Sequence, residues 1–468
     1  MTYDFILRGG HVVDPVNQTD GVADVAFEGG RIVEVGPELS ATAQREEDVT
    51  GLHVLPGIID SHVHVSPWLG GAVGHHMLAA AGVTTALEMA GPIDGVMRFA
   101  ASHGTGLTMA CIDYVRPGHT VASAHPSREE LVDALAKARK AGAVGLKILG
   151  GHFPLTVEAS AAVIALCAQE GAHVAFHAGT LDTPQNYDGM VEACEAAAGN
   201  PLQLPHVNSY VRGQTRPAIE EAKAAADLLW QHPNIWSESY LAPFNGNSAK
   251  CANGIPESVA TQRNLARGGF EPTIDGMREA ISAGWCFIHI QRGAAHELVT
   301  GPEALAAWEA AGSDIGASFA ANPAESRINL AILKREDGAF AIDGLATDGG
   351  GIPRNDLCSR GLALVHLDAL SLAEFVQKTA IAPAEMLGLS GRKGHFTAGA
   401  DADITVVDLD ARAPVMSFGG GRPIMMRGEV VGSGTTMIVN PEGVEAAHAL
   451  GLSTLVAEHG SIRPVQKR

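Results

Sequence analysis

The sequence predicts an α/β chain: a (β/α)8 barrel carrying a small discontinuous β-sandwich domain formed by both chain ends. Three observations predict it. Between residues 56 and 390 short apolar runs alternate with helical patterns, eight runs in all. Both chain ends share a different texture, of β-strands separated by tight turns. Polar residues of metal-binding type stand at the ends of the apolar runs, where a barrel places its reactive groups.

The first 55 residues supply strands at Phe5-Ile6-Leu7-Arg8-Gly9-Gly10, Val22-Ala23-Asp24-Val25-Ala26-Phe27 and Arg31-Ile32-Val33-Glu34-Val35. Turns at Asp14-Pro15, Glu28-Gly29-Gly30 and Gly36-Pro37 separate them. Residues 402–408 and 424–431 repeat the texture. The expected division is therefore 1–55 as the first part of a sandwich, 56–390 as the barrel, and 391–468 as the second part with a tail.

Within the barrel the expected strands are 57–64, 83–89, 107–113, 144–149, 172–177, 202–207, 235–240 and 340–347. Helical patterns fill 128–141, 157–170, 187–198 and 216–231, and Ser127 before Glu130 reads as a capping box. An open doubly wound sheet is the rival, but no G-x-G-x-x-G follows a first strand. The interval 243–339 is too long for one crossover and reads as an insertion after the seventh strand. Its strand-like run 285–290 competes for a place in the barrel.

Thirty-two basic against 52 acidic residues leave a formal charge of −20. That argues against nucleic-acid or anionic-membrane surfaces, which need clustered Lys and Arg. One or two local arginines can still hold an acidic small molecule. The six cysteines include no C-x-x-C pair, the N-terminal residues lack a basic and apolar leader, and no apolar run could span a bilayer. A cytoplasmic protein with reduced thiols is expected.

Chemistry collects at strand ends. Pro56-Gly57-Ile58-Ile59-Asp60-Ser61-His62-Val63-His64 places His62 and His64 on one face of a strand, because side chains alternate. Lys147, His177, His206 and Asp348 end the fourth, fifth, sixth and eighth runs. Alone, each has an ordinary explanation: a hydrogen-bonded histidine, a snorkelling lysine, a turn aspartate before three glycines. Together, four histidines, a lysine and an acid at five strand ends form a constellation. Two divalent cations bring four positive charges, against one from Asp348 of opposite sign. A buried lysine that has lost its proton can add carbon dioxide and become an anionic carbamate with two oxygen donors.

These residues carry a resemblance. The segment Val54–His64, the Gly145-Leu146-Lys147 strand, the two single histidines, Ala382-Pro383-Ala384-Glu385-Met386-Leu387-Gly388-Leu389 and Gly399-Ala400-Asp401-Ala402-Asp403 resemble the metal-dependent amidohydrolase superfamily. The likeness covers nearly the whole chain and is to the binuclear, carboxylated-lysine members: dihydroorotases, hydantoinases, the urease catalytic subunit and D-aminoacylase-like enzymes. His206-Val207-Asn208-Ser209 and Glu238-Ser239-Tyr240 look closest to the D-aminoacylase-like branch, although some enzymes of that branch use another ligand at the lysine position.

The resemblance implies that His62, His64 and Asp348 hold a more buried metal and His177 with His206 a more exposed one, with carboxylated Lys147 between them. Zinc is the foremost ion for such donors. It also implies hydrolysis of a non-peptide C–N bond, in an N-acyl-D-amino acid, a cyclic amide or a ureide, by a metal-bridging hydroxide attacking a carbonyl. Asp348 would carry the proton to the leaving nitrogen. Loop positions after the strands suggest His152, Asn208, Tyr210, Arg212, Glu238 and Tyr240 as substrate contacts, with Arg327 of the insertion as a further candidate.

A small-molecule partner and a homo-oligomer are expected by the same resemblance. Competing histidines are His173, which faces the wrong end of its strand, His289 in the 285–290 run, and His75 with His76, which read as surface or supporting groups. Rival functions are a heterocycle deaminase, disfavoured by Lys147, and a catalytically silent hydantoinase-like assembly protein, disfavoured because all six positions are filled. No segment for docking a carrier supports a subunit that processes a formylated carrier within a larger complex.

Overall fold

Apolar runs joined by returning helices become parallel strands, since each helix brings the chain back to the same end of a sheet. The computed structural model describes residues 2–457 and shows this in two six-stranded sheets. One runs Gly344–Leu345, Ile235–Ser239, Leu202–Leu204, His173–His177, Gly145–Leu149 and Asp113–Val115. The other runs Gly349–Gly350, Ile58–His64, Val83–Glu88, Thr105–Cys111, Gly434–Val439 and Ser453–Val456. Two stretches contribute to both sheets: 105–115 and 344–350. Every neighbouring pair in both sheets is parallel.

Two of these strands stop short of their expected ends, for local reasons. The sixth ends at Leu204, where Pro205 has no N–H to give the ladder. His206 then takes a left-handed φ of 41° and Val207–Ser209 forms one 3-10 turn. The eighth divides around Asp348, whose φ of 52° is also left-handed. Past it the chain lies so close to strand one that a Cβ on Gly350 would sit 2.3 Å from the His64 carbonyl oxygen.

The helices behind the strands start where side chains can cap them. Ser127 accepts from the Glu130 amide and Glu130 answers at the Ser127 amide, the reciprocal box expected there. Thr156 and Asn186 cap Val157–Gln169 and Tyr187–Ala196.

The chain ends meet in a nine-stranded sheet. The strand His53–Pro56 joins Thr2–Asp14 on one side to Ile404–Asp408 on the other. Phe5, Phe27 and Phe418 pack together here, with ring centroids 5.0–5.4 Å apart. Residues after 391 do not all belong to it. Gly434–Val439 lies parallel to Thr105–Cys111 in the second six-stranded sheet instead. Its Met437, Ile438 and Val439 are fully buried, the continuous apolar run typical of a parallel strand covered on both faces.

Residues between Ser239 and Gly344 hold a four-stranded antiparallel sheet of Asn247–Ser248, Gly316–Phe319, Cys286–Arg292 and Ala295–Val299. Helices Val259–Arg267, Ile274–Ser282 and Pro302–Ala310 accompany it. This unit has its own core around Met277, Trp308 and Phe319, so the 285–290 run does not compete for the parallel sheets. None of the described helices is long and apolar enough to cross a membrane.

Candidate metal centre

A cavity of about 470 Å³ opens where the parallel strands end, and His62, His64, Lys147, His177, His206 and Asp348 all line it. Each reaches the cavity for a reason visible in its strand. His62 and His64 flank Val63, which is buried in the core while the two rings approach to 5.2 Å. Lys147 pairs across from Ala175 and Leu149 from His177, so lysine and histidine rise to successive levels of adjacent strands. His206 and Asp348 are turned inward by their left-handed backbones, a strain of about 1–3 kcal/mol each that the surrounding fold must hold.

Asp348 is the hub. Its Oδ1 lies 3.2 Å from His62 Nε2 and 3.0 Å from His64 Nε2. Its Oδ2 receives Arg354 Nη2 at 2.6 Å, and Arg354 Nε also donates to the Asp348 carbonyl at 2.6 Å. Burial pushes the Asp348 carboxyl up, but the Arg354 guanidinium, helped by the hydrogen bond with His64, more than reverses this and holds it well below the usual carboxylate range. Asp60 ties the neighbouring residue, accepting from Thr347 Oγ1 at 2.5 Å and from the Thr347 amide at 3.1 Å.

The histidines are oriented from behind. His62 Nδ1 meets Glu238 Oε1 at 2.5 Å, and His206 Nδ1 meets Ser209 Oγ at 2.6 Å. These contacts leave the Nε2 atoms of both rings for the cavity. His206 Nε2 lies 3.1 Å from His177 Nδ1. Burial lowers His62, His177 and His206 well below the usual histidine value, which keeps them neutral and able to donate a lone pair.

Lys147 is 2% exposed, and its Nζ has no hydrogen-bond partner among the described residues. Burial lowers it to about 7 despite the nearby charges of Glu238, Asp348 and Glu88. An orphaned amine of that kind is costly unless something else satisfies it.

The donor set fits divalent metal ions. Two donors on one tetrahedral ion at about 2.0–2.2 Å stand roughly 3.3 Å apart, and the Asp348–His62, Asp348–His64 and His177–His206 pairs come close to that at 3.2, 3.0 and 3.1 Å. Among the described residues the three donors that gather within 4.8 Å of one another are His62, His206 and Asp348, a triad that takes His206 in place of the expected His64.

The six loop candidates for substrate contact divide evenly. His152, Arg212 and Tyr240 line the cavity. His152 sets its ring edge-on to His177, with centroids 5.0 Å apart. Asn208, Tyr210 and Glu238 do not line it, and all three are fully buried in structural roles. Asn208 Oδ1 accepts from Ser239 Oγ and the Tyr240 amide, the Tyr210 hydroxyl accepts the Ala178 amide, and Glu238 holds His62. Arg327 donates to the Leu241 carbonyl away from the cavity.

Of the competing histidines, His173 meets Gln203 at 2.7 Å and His289 meets Ser318 at 2.8 Å, neither at the cavity. His75 is buried, where a surface position was one expectation, because its helix packs against the Thr105–Cys111 strand.

Arg354, Glu88 and the insertion's Arg263 and Arg267 complete the surroundings and went unnoticed in the sequence. Arg354 follows Asp348 by six residues in the same glycine-rich loop, which is the one signal that could have exposed it. Glu88 ends its strand as His64 does, accepts the Val65 amide at 2.5 Å and lies 3.9 Å from His64 Nδ1.

Comparisons with known proteins bear on the family and the fold. The profile of the Amidohydrolase family matches residues 53–439. An allantoinase of Deinococcus radiodurans is 33% identical over 164 residues, covering 33% of this chain and 35% of that protein, so the chain spans about a third of that relative's length. A structure of D-aminoacylase, described for the functional role of its binuclear metal center, superposes with a TM-score of 0.63 at 16% identity, covering 92% of this chain and 99% of that one. A D-hydantoinase structure gives 0.61 at 17% identity, covering 93% and 98%. At such identities these structures speak for the fold.

Proposed function

The chain belongs to the amidohydrolase family, and from that premise we propose that it hydrolyses a non-peptide C–N bond in an N-acyl-D-amino acid, a cyclic amide or a ureide. The observation that carries this reading is the convergence of six donor residues on one cavity, with donor pairs 3.0–3.2 Å apart. The allantoinase, D-aminoacylase and D-hydantoinase likenesses support the same bond class. In this reading the eight successive parallel strands from Ile58–His64 to the 344–350 stretch form one closed (β/α)8 barrel, 1–55 and the strands between Ile404 and Val430 form the β-sandwich, and the protein is a cytoplasmic homo-oligomer.

His62, His64 and Asp348 would hold one divalent ion and His177 with His206 the other, zinc being the foremost candidate. When bound, such ions lower the pKa of water and polarise a carbonyl. The chain's own groups do the rest. Arg354 holds the Asp348 carboxylate in place through Oδ2, and that carboxylate would take a proton and return it to the departing nitrogen. Glu238 and Ser209 fix the ring orientations of His62 and His206. Lys147, lowered to about 7, is partly neutral at physiological pH. Its amine can form an N–C bond to carbon dioxide and release one proton, leaving a carbamate whose two oxygens join the donor set.

A hydrolysis screen of metal-loaded protein against N-acyl-D-amino acids, lactams and cyclic ureides tests the proposal. Release of an amine from one class supports it. Release of ammonia from a heterocycle, with one metal per chain, would replace it by the deaminase reading.

A further inference from the structure

The insertion gives one stripe of the helix Val259–Arg267 to the cavity: Ala260, Arg263, Asn264 and Arg267 all line it. Spacings of three, four and seven put them on one face. Arg212 lines the same cavity from the loop after Leu202–Leu204 and bonds only neutral acceptors, Asn322 Oδ1 at 2.7 Å and the Tyr240 hydroxyl at 3.3 Å. Arg267 Nη2 donates to the Arg212 carbonyl at 2.8 Å.

Among the described residues the cavity has one lining carboxylate, Asp348, and Arg354 is paired with it. Glu221 lies near the same loop, but its oxygens accept the amides of Gly213, Thr215 and Arg216. Three guanidinium groups therefore share a concave surface without ion-pair partners among the described residues, in a chain of 52 acidic and 32 basic residues. Gathering like charges is unfavourable until an anion enters, and a guanidinium fork matches oxyanions in pairs of parallel hydrogen bonds.

We infer that the ligand of this cavity carries two anionic oxygen groups, one seated on Arg212 and the other on the Arg263/Arg267 stripe, away from the metal donors. Two carboxylates, or a carboxylate joined to a phosphoryl group, share the required chemistry. The location of the scissile bond rests on the proposed hydrolytic function; the binding of a dianion does not.

Calorimetric titration of the full-length metal-loaded protein tests this with adipate, its monoamide adipamate, neutral adipamide and 3-phosphonopropionate. Adipate or 3-phosphonopropionate should bind at least about tenfold more tightly than adipamate, and whichever does so identifies the second anion. The double variant R263Q/R267Q should bring the dianion down to the affinity that adipamate has for the wild type. Equal affinity for dianion and monoanion, no binding of either, or a double variant that behaves as wild type would overturn the inference. A dianion preference that persists when the hydrolysis screen finds no substrate would remove the C–N assignment and leave this site standing.

Discussion

At the floor of the cavity His62, His206 and Asp348 are buried and each is held by a partner, whereas Arg263 and Arg267 at its rim are exposed and lightly held. The floor comes from strand ends, whose side chains are aimed by the pleat and by hydrogen bonds behind them. The rim comes from a helix of the insertion and from loops. The difference matches the two tasks proposed for them. Groups that exchange protons and hold ions need fixed positions in a dry setting, where electrostatic interactions are strong. Groups that recognise a charged ligand work at the solvent boundary, where a guanidinium can remain hydrated until its partner arrives.

Substitutions should follow that division. Asp348→Asn keeps the shape but removes the proton acceptor, and a fall in kcat of about 10³-fold or more is expected in steady-state assays with whichever substrate the screen finds. Arg354→Met leaves the Asp348 carboxylate buried beside the cavity without its cation. Breaking such a pair should lower stability by about 3 kcal/mol in urea unfolding. Glu238→Gln spares the cavity lining but weakens the support of His62, so metal affinity should fall by about 10–100-fold in chelator competition.

The acid limb sharpens the comparison further. Because the Asp348 carboxyl is held well below its ordinary value of 3.8, the unfolded chain binds its proton first as pH falls. The stability it contributes is therefore present above about pH 4 and is lost as pH falls from there through the folded value. Metal-free Asp348→Asn should show a shallower loss of thermal stability below pH 4 than metal-free wild type. At the rim, Arg263→Gln should change stability by no more than about 0.5 kcal/mol, since the side chain is exposed. A large loss there would erase the distinction between floor and rim.

Sequence legibility follows the same line. His62, His64, Lys147, His177, His206 and Asp348 could be picked out because each interrupts an apolar run at its end, a one-dimensional signal. Glu238 gave that signal too, but its role did not follow: its partner His62 lies 176 positions away, and only the packed strands bring them together. Asn208 and Tyr210 stood in a loop, yet the turn after Pro205 folds both into the core. Gly434–Val439 follows β-rich neighbours in sequence, and only its unbroken apolar end suits the parallel strand it forms. The arginines at 263 and 267 carry helical spacing, but nothing local tells which face meets the cavity.

In the proposed site Lys147 completes a two-ion centre. Metal content per chain, measured by plasma mass spectrometry on protein loaded with zinc in bicarbonate buffer, tests it most directly. Two ions per chain in wild type and at most one in Lys147→Ala is the expected result. Two ions retained in the alanine variant would contradict it.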